Sequence, residues 1–307
     1  MRIRVLREAG GLGDILRTFP VCRGLKEKYP GAEVDYYCLD EYKELVRHCP
    51  WVDRIYPVPL VRRRDRDAQP NAVRWSYLDR RYDMTVDLYC PAYRYERDVR
   101  GDVAIDRTSL FCYAAGVRPS TPTLMLSRPH ADWARKAVDQ MGGARGPIVG
   151  LQPFSTTALR NWPLEYWEEL SAWIQAQGWL SLVFTFRGAK CGRIRGVKLG
   201  MPHFWRLAAL VKRCNIVVTP DSGVFHLAGS VGVRAIGVFG STNGEVIRRH
   251  YPRASHIQAD RGAARCEPPC NYAAERGFSP ECFSRCQVIE NVGPGAVAAE
   301  LARRILD

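Results

Sequence analysis

The chain alternates short apolar runs with stretches of helical periodicity from one end to the other. In the first half, IRVL, AEVDYYCL, DRIYPVP and YDMTVDLY read as strands. Between and after them, ILRTFPVCRGLKEKYP, the short EYKELVRHCP, RTSLFCYAAGV and ADWARKAVDQMGG carry apolar positions at helical spacing. Glycines and proline in MGGARGP break the pattern, which then restarts. PIVGLQP, WLSLVFTF, NIVVTP and RAIGVFG are strand-like, separated by helices in PLEYWEELSAWIQAQG, PHFWRLAALVKRC and SGVFHLAGSVG. Apolar strands joined through helices form a parallel sheet covered on both faces. The expectation is an α/β protein of two successive Rossmann-like domains, residues 1–145 and 146–307.

Composition narrows this picture. A chain of 307 residues fits two domains of ordinary size. No apolar run approaches the ~20 residues a membrane span needs. MRIRVL, charged at alternate positions and leading into a glycine turn, reads as a first strand and not as a signal peptide. The net charge of +13 falls on both halves and favours anionic partners: nucleotide phosphates, nucleic acid or acidic headgroups. A solvated basic surface is the plain alternative. Eleven cysteines without a leader argue for a reducing, cytoplasmic location. Seven of them (Cys22, Cys38, Cys49, Cys90, Cys112, Cys191 and Cys214) read as small core residues or idle thiols.

Three turns carry candidate chemistry. Near the start, GGLGD sets Asp14 where a glycine loop becomes a helix, with Gly11 and Gly13 letting backbone approach a ligand. At mid-chain, LQPFSTTALRNW follows a strand with Ser155, Thr156, Thr157 and Arg160, and opens a helix at Trp162. Hydroxyls, amides and a guanidinium together suit a pyrophosphate. Later, NIVVTP ends in Asp221, Ser222 and Gly223, and a helix follows with His226 one turn on. Backbone N–H groups at a helix start favour an anion. Each has a plain reading too: Asp14, Asp221 or Ser222 as helix caps, Arg160 as a surface charge, Trp162 and His226 as core residues.

Taken in order, GGLGD, S-T-T-x-x-R-x-W and DSGVFHLAGSVGV with GVFGST resemble the ADP-heptose:lipopolysaccharide heptosyltransferases, glycosyltransferase family 9. YPGAEVDYYC, CPWVDRIYPV and the final helix extend the resemblance over nearly the whole chain. It implies the GT-B fold, two Rossmann-like domains with parallel sheets facing a central cleft. The first would hold the acceptor and the second a nucleotide sugar. It also implies inversion at the anomeric centre without a catalytic metal or other cofactor. Asp14 matches the family's catalytic base. Thr156, Thr157 and Arg160 would hold the donor phosphates, with Arg160 standing where the family usually has lysine. Ser222, Gly223 and His226 would meet the diphosphate, and Asp221 the sugar.

The sequence departs from the family pattern after WLSLVFTF. A glycine pair and a nucleoside-binding glutamate are common there, but this chain has RGAKCGRIRGVKLGMP, short, basic and without an acid. In the first half, VRRRDRDAQPNAVRW gathers Arg62, Arg63, Arg64 and Arg66 with Trp75 near its end. These suit an anionic acceptor such as the lipopolysaccharide core, though the same cluster could grip protein or nucleic acid, or be only a solvated loop. The alternatives are a glycosyltransferase acting on protein or modified nucleic-acid bases, and a non-catalytic nucleotide-sugar or nucleic-acid binding protein of the same fold. Finally, Cys266, Cys270, Cys282 and Cys286 form a C-x3-C-x11-C-x3-C arrangement. Four thiolates so close could enclose a structural zinc or iron, with free thiols or disulfides left open.

Overall fold

A computed structural model of the protein describes residues 1–58, 81–88, 95, 103–143, 146–186, 188–200, 203–260 and 286–306. The arginine-rich stretch with Arg62, Arg63, Arg64, Arg66 and Trp75 lies outside them, as do Cys90, Cys266, Cys270 and Cys282. The backbone falls into two compact units. One comprises residues 1–97 and 107–125, the other 98–106 and 126–307.

In the first unit, β1 (Arg2–Arg7), β2 (Glu33–Leu39), β3 (Arg54–Val58) and β4 (Met84–Asp87) form a parallel sheet in the order β3-β2-β1-β4. Central strand β1 is buried on both faces, with Ile3 and Val5 fully covered. The helical stretch after it is two helices, α1 (Leu12–Leu16) and α2 (Phe19–Lys28). Pro20 lies in the first turn of α2, where its missing N–H would have no helical partner. Short α3 (Lys43–Val46) and α4 (Arg107–Ala114) complete the unit, and α4 packs on α2.

The second unit begins with α5 (Arg128–Gln140) and contains a six-stranded parallel sheet. Its strands are β5 (Ile148–Leu151), β6 (Leu180–Thr185), β7 (Val197–Gly200), β8 (Ile216–Pro220), β9 (Arg234–Phe239) and β10 (Ala254–Gln258), in the order β10-β9-β8-β5-β6-β7. The helices are α6 (Leu164–Ala176), α7 (Phe204–Arg213), α8 (Gly223–Ser230), α9 (Gly244–Arg248) and α10 (Pro294–Leu306). The core gathers Val149, Leu151, Val183 and Val218 from the strands, Trp167 and Ile174 from α6, and Val297 and Leu301 from α10.

Helix α5 reads in sequence as the close of the first half. It packs instead on α7, where Trp205 meets His130 at 4.8 Å and Trp133 at 5.1 Å between ring centroids. The sequence boundary at 145/146 therefore falls inside the second unit. Strands β7 and β10 are additions to the sequence reading. β7 follows β6 through an irregular connection, in keeping with the helix-poor RGAKCGRIRG. Both are sheet-edge strands of four and five residues, too short for a period to stand out.

Candidate functional site

In the first unit, the turn leaving β1 brings Asp14 into a ring of guanidiniums. Gly10 makes the turn possible: its φ is +98°, and a Cβ there would stand 2.6 Å from both Arg7 Nη2 and Asp14 Oδ2. Only glycine meets both demands. Gly11 then caps α1, and Asp14, three residues on, accepts the Gly11 N–H at 3.1 Å through Oδ2. The capping role is thus real, but it leaves Oδ1 for other partners. Arg107, from the start of α4, donates to Oδ1 at 2.5 Å. Arg7 and Arg17 stand at 3.8 and 3.9 Å. Arg7 is itself fixed by the Leu88 carbonyl at 2.9 Å and lies over the Phe111 ring.

Burial alone would raise the pKa of Asp14, whose side chain is 14% exposed. Arg107, Arg7 and Arg17 outweigh it and hold the carboxyl far below the usual carboxylate range. Three guanidiniums thus surround this one carboxylate. Sequence reading named Asp14, Gly11 and Gly13 here and missed the arginines. Arg7 and Arg17 sit within the same motif, but Arg107 is 93 residues away and no period announces it.

In the second unit, the end of β8 and the loop after β5 meet. Arg160 donates through Nη1 to the Asp221 carbonyl at 3.1 Å and through Nη2 to Thr157 Oγ1 at 3.0 Å. The loop is shaped by Asn161, whose Oδ1 accepts the Ser155 N–H at 2.7 Å. Thr156 is exposed at its tip. Asp221 is buried; Thr242, after β9, donates to its Oδ2 at 3.1 Å, and Arg160 and His226 stand 3.8 and 3.9 Å from the carboxylate. The structure therefore brings together Thr157, Arg160, Asp221 and His226.

The plain readings hold for some of these side chains. Ser222 caps α8, its hydroxyl accepting the Val224 N–H at 3.2 Å and meeting Thr219 at 2.8 Å. His226 is buried, with Nδ1 3.1 Å from the Tyr251 hydroxyl. Trp162 is a core aromatic that donates to the Val292 carbonyl at 2.8 Å. What Ser222 and Gly223 still offer at the start of α8 is backbone N–H groups, beside the Arg160 guanidinium.

Six of the seven scattered cysteines are described, and Cys22, Cys38, Cys49, Cys112, Cys191 and Cys214 are all buried, as core residues. Of the clustered four, only Cys286 is described; it is buried in the second core. Among the described residues no group of three or more His, Cys, Asp or Glu could hold a metal ion. None of their helices is long and apolar enough to cross a membrane.

Comparison with known proteins agrees with the fold. The family model of glycosyltransferase family 9 (heptosyltransferase) matches residues 81–273. Lipopolysaccharide heptosyltransferase 1 of Pseudomonas aeruginosa is 22% identical in an alignment of 360 residues, covering 100% of this chain and 98% of that protein. The E. coli ADP-heptose lipopolysaccharide heptosyltransferase II structure superposes with a TM-score of 0.70 at 17% identity, over 100% of this chain and 99% of that one. A family 9 glycosyltransferase from Veillonella parvula gives 0.73 at 16% identity, over 99% and 97%. Both sheets and their helices match the GT-B architecture of these structures.

Proposed function

The chain belongs to glycosyltransferase family 9, and from that premise we propose an inverting, metal-independent transfer of a heptose or hexose. The donor is a nucleoside diphosphate sugar of the ADP-heptose kind, and the acceptor is a hydroxyl on an anionic molecule such as the lipopolysaccharide core. Family membership favours this enzyme over a non-catalytic binding protein. The buried, unpaired thiols among the described residues support a cytoplasmic location.

The observation that carries the reading is the Asp14 carboxylate, held ionised among Arg7, Arg17 and Arg107. An inverting transfer needs a carboxylate to take the acceptor hydroxyl's proton as that oxygen attacks the anomeric carbon. The guanidiniums keep Asp14 ready to accept but weaken its hold on a proton. An anionic acceptor that draws Arg107 or Arg17 toward itself returns basicity to Asp14 when the hydroxyl is in place. The ring thus couples acceptor binding to activation of the base.

On the donor side, the leaving diphosphate gathers negative charge as the glycosidic bond breaks. Arg160 and the N–H groups at the start of α8 are suited to stabilise it, the role a metal plays in other transferases. Thr157, hydrogen-bonded to Arg160, adds a hydroxyl at the same point. Arginine in place of lysine keeps the charge and offers a planar, two-pronged donor. The four clustered cysteines fit, at most, a structural ion in this reading, and no step passes through them.

A nucleotide-release assay tests the proposal: purified protein, a panel of nucleoside diphosphate sugars and a heptose-deficient lipopolysaccharide core, with and without a chelator. Acceptor-dependent release that persists in chelator is the expected result. Release that requires added magnesium or manganese would contradict it.

A further inference from the structure

Beyond the diphosphate, the second unit carries an aromatic pair that the reading so far leaves unused. Phe154 follows β5 and Phe186 follows β6, neighbouring strands in the sheet. Their rings meet edge to face at 5.6 Å and 64°. Phe154 is half-buried and packs on the core, and its carbonyl accepts Gln152 Nε2 at 2.6 Å, so its position is fixed. Phe186 is 52% exposed. Among the described residues of this unit, only Leu306, at the end of the last helix, is another large apolar side chain so exposed.

Both rings stand at the carboxyl edge of a parallel sheet, where ligands of such sheets bind. The same loop that holds Phe154 continues, within six residues, to Thr157 and Arg160, and Arg160 reaches the Asp221 carbonyl at the end of β8. Along the sheet order β8-β5-β6, the loop therefore presents a phosphate-binding end toward β8 and an aromatic end toward β6. A nucleoside diphosphate has the same polarity: a charged group at one end, a flat heterocycle at the other. No carboxylate stands in the segment after β6 to hydrogen-bond a nucleoside, since RGAKCGRIRG is basic throughout.

We propose that Phe186, backed by Phe154, is the platform on which the donor's base stacks. Recognition by a π face replaces recognition by an acid in this chain. The inference rests on the donor reading of Arg160 and Thr157 and extends it to the other end of the same ligand. One consequence is relaxed choice of base, because every base offers a π face.

The test is calorimetry on the full chain with three probes, ADP, GDP and inorganic pyrophosphate, for wild type, Phe186→Ala, Phe186→Trp and Arg160→Ala. Phe186→Ala should weaken ADP by about 5- to 150-fold, the range that base–aromatic stacking supplies, and leave pyrophosphate unchanged. Phe186→Trp should retain ADP binding, which also guards against a general packing effect. GDP should bind wild type within about tenfold of ADP, since stacking is tolerant of base identity. ADP affinity untouched in Phe186→Ala, equal losses for ADP and pyrophosphate, or strict rejection of GDP would each overturn the platform. If Arg160→Ala still loses ADP and pyrophosphate in those cases, the donor reading survives without it. A wild-type protein that binds none of the three probes would remove both.

Discussion

Two aspartates stand after a parallel strand in the two units, Asp14 in the first turn of the helix that follows and Asp221 just before one. Asp14 follows β1 and Asp221 follows β8, and both are close to arginine. Their surroundings differ. Around Asp14, three guanidiniums face the carboxylate. Around Asp221, Arg160 faces the carboxylate and also bonds its backbone carbonyl, while the neutral Thr242 hydroxyl donates to Oδ2. Under the proposed function, the guanidiniums of the first arrangement would also meet an anionic acceptor. At the second, the same reading has an incoming diphosphate meet backbone amides, hydroxyls and the Arg160 guanidinium. The same sheet-edge geometry would then serve, under the proposed function, an acid that reacts in one unit and an acid that shapes a binding site in the other.

This contrast breaks most visibly at Asp14. Asp14→Asn should lower the transfer rate by about 10²–10⁴-fold, the usual contribution of a general base. Donor affinity should stay near wild type, because the group acts on the acceptor. Retention of more than about a tenth of the rate would remove Asp14 from the chemistry. Next in size, Arg160→Ala should weaken diphosphate binding by about 1.5–3 kcal/mol, as expected for charge-assisted hydrogen bonds. Titration with ADP and with adenosine checks this, since the bare nucleoside should be affected less.

Arg107→Ala separates the two sites by pH. In wild type the three guanidiniums hold the Asp14 carboxyl far below its ordinary value, so it stays ionised throughout the mildly acidic range. A depressed carboxylate contributes stability that is present above its unfolded value, about 3.9, and is lost as pH falls toward the folded one. Removing Arg107 raises the folded value. The acid limb of kcat/KM should therefore move to higher pH, and acceptor KM should rise about tenfold or more. An unchanged profile would mean that Arg107 does not govern the acid. The smallest effect on turnover is expected for Thr242→Val. Loss of its hydrogen bond to buried Asp221 should cost about 1–3 kcal/mol of stability, read by denaturant unfolding, while transfer persists.

Much of this organisation was legible in the sequence because it is local. Alternating apolar runs and helical periods gave both sheets, and GGLGD and DSG placed each aspartate at its turn. The missing parts depend on contacts far apart in the chain. Arg107 reads as an ordinary helix start until folding brings it to Asp14. Helix α5 looks like the end of the first half, and only its packing against Trp205 assigns it to the second unit. The break between α1 and α2 at Arg17 and Thr18 was masked by continuous apolar spacing across Pro20. Phe154 and Phe186 are 32 residues apart and look like unremarkable strand-end aromatics until the parallel pairing of β5 and β6 sets them side by side.

The central claim is a single displacement in which Asp14 activates the acceptor oxygen for direct attack. The most direct test is the anomeric configuration of the transferred sugar, read by nuclear magnetic resonance from a donor of known configuration. One displacement predicts complete inversion, and its loss in Asp14→Asn. A product that retains the donor's configuration would require an intermediate or a front-face route, and would contradict the account.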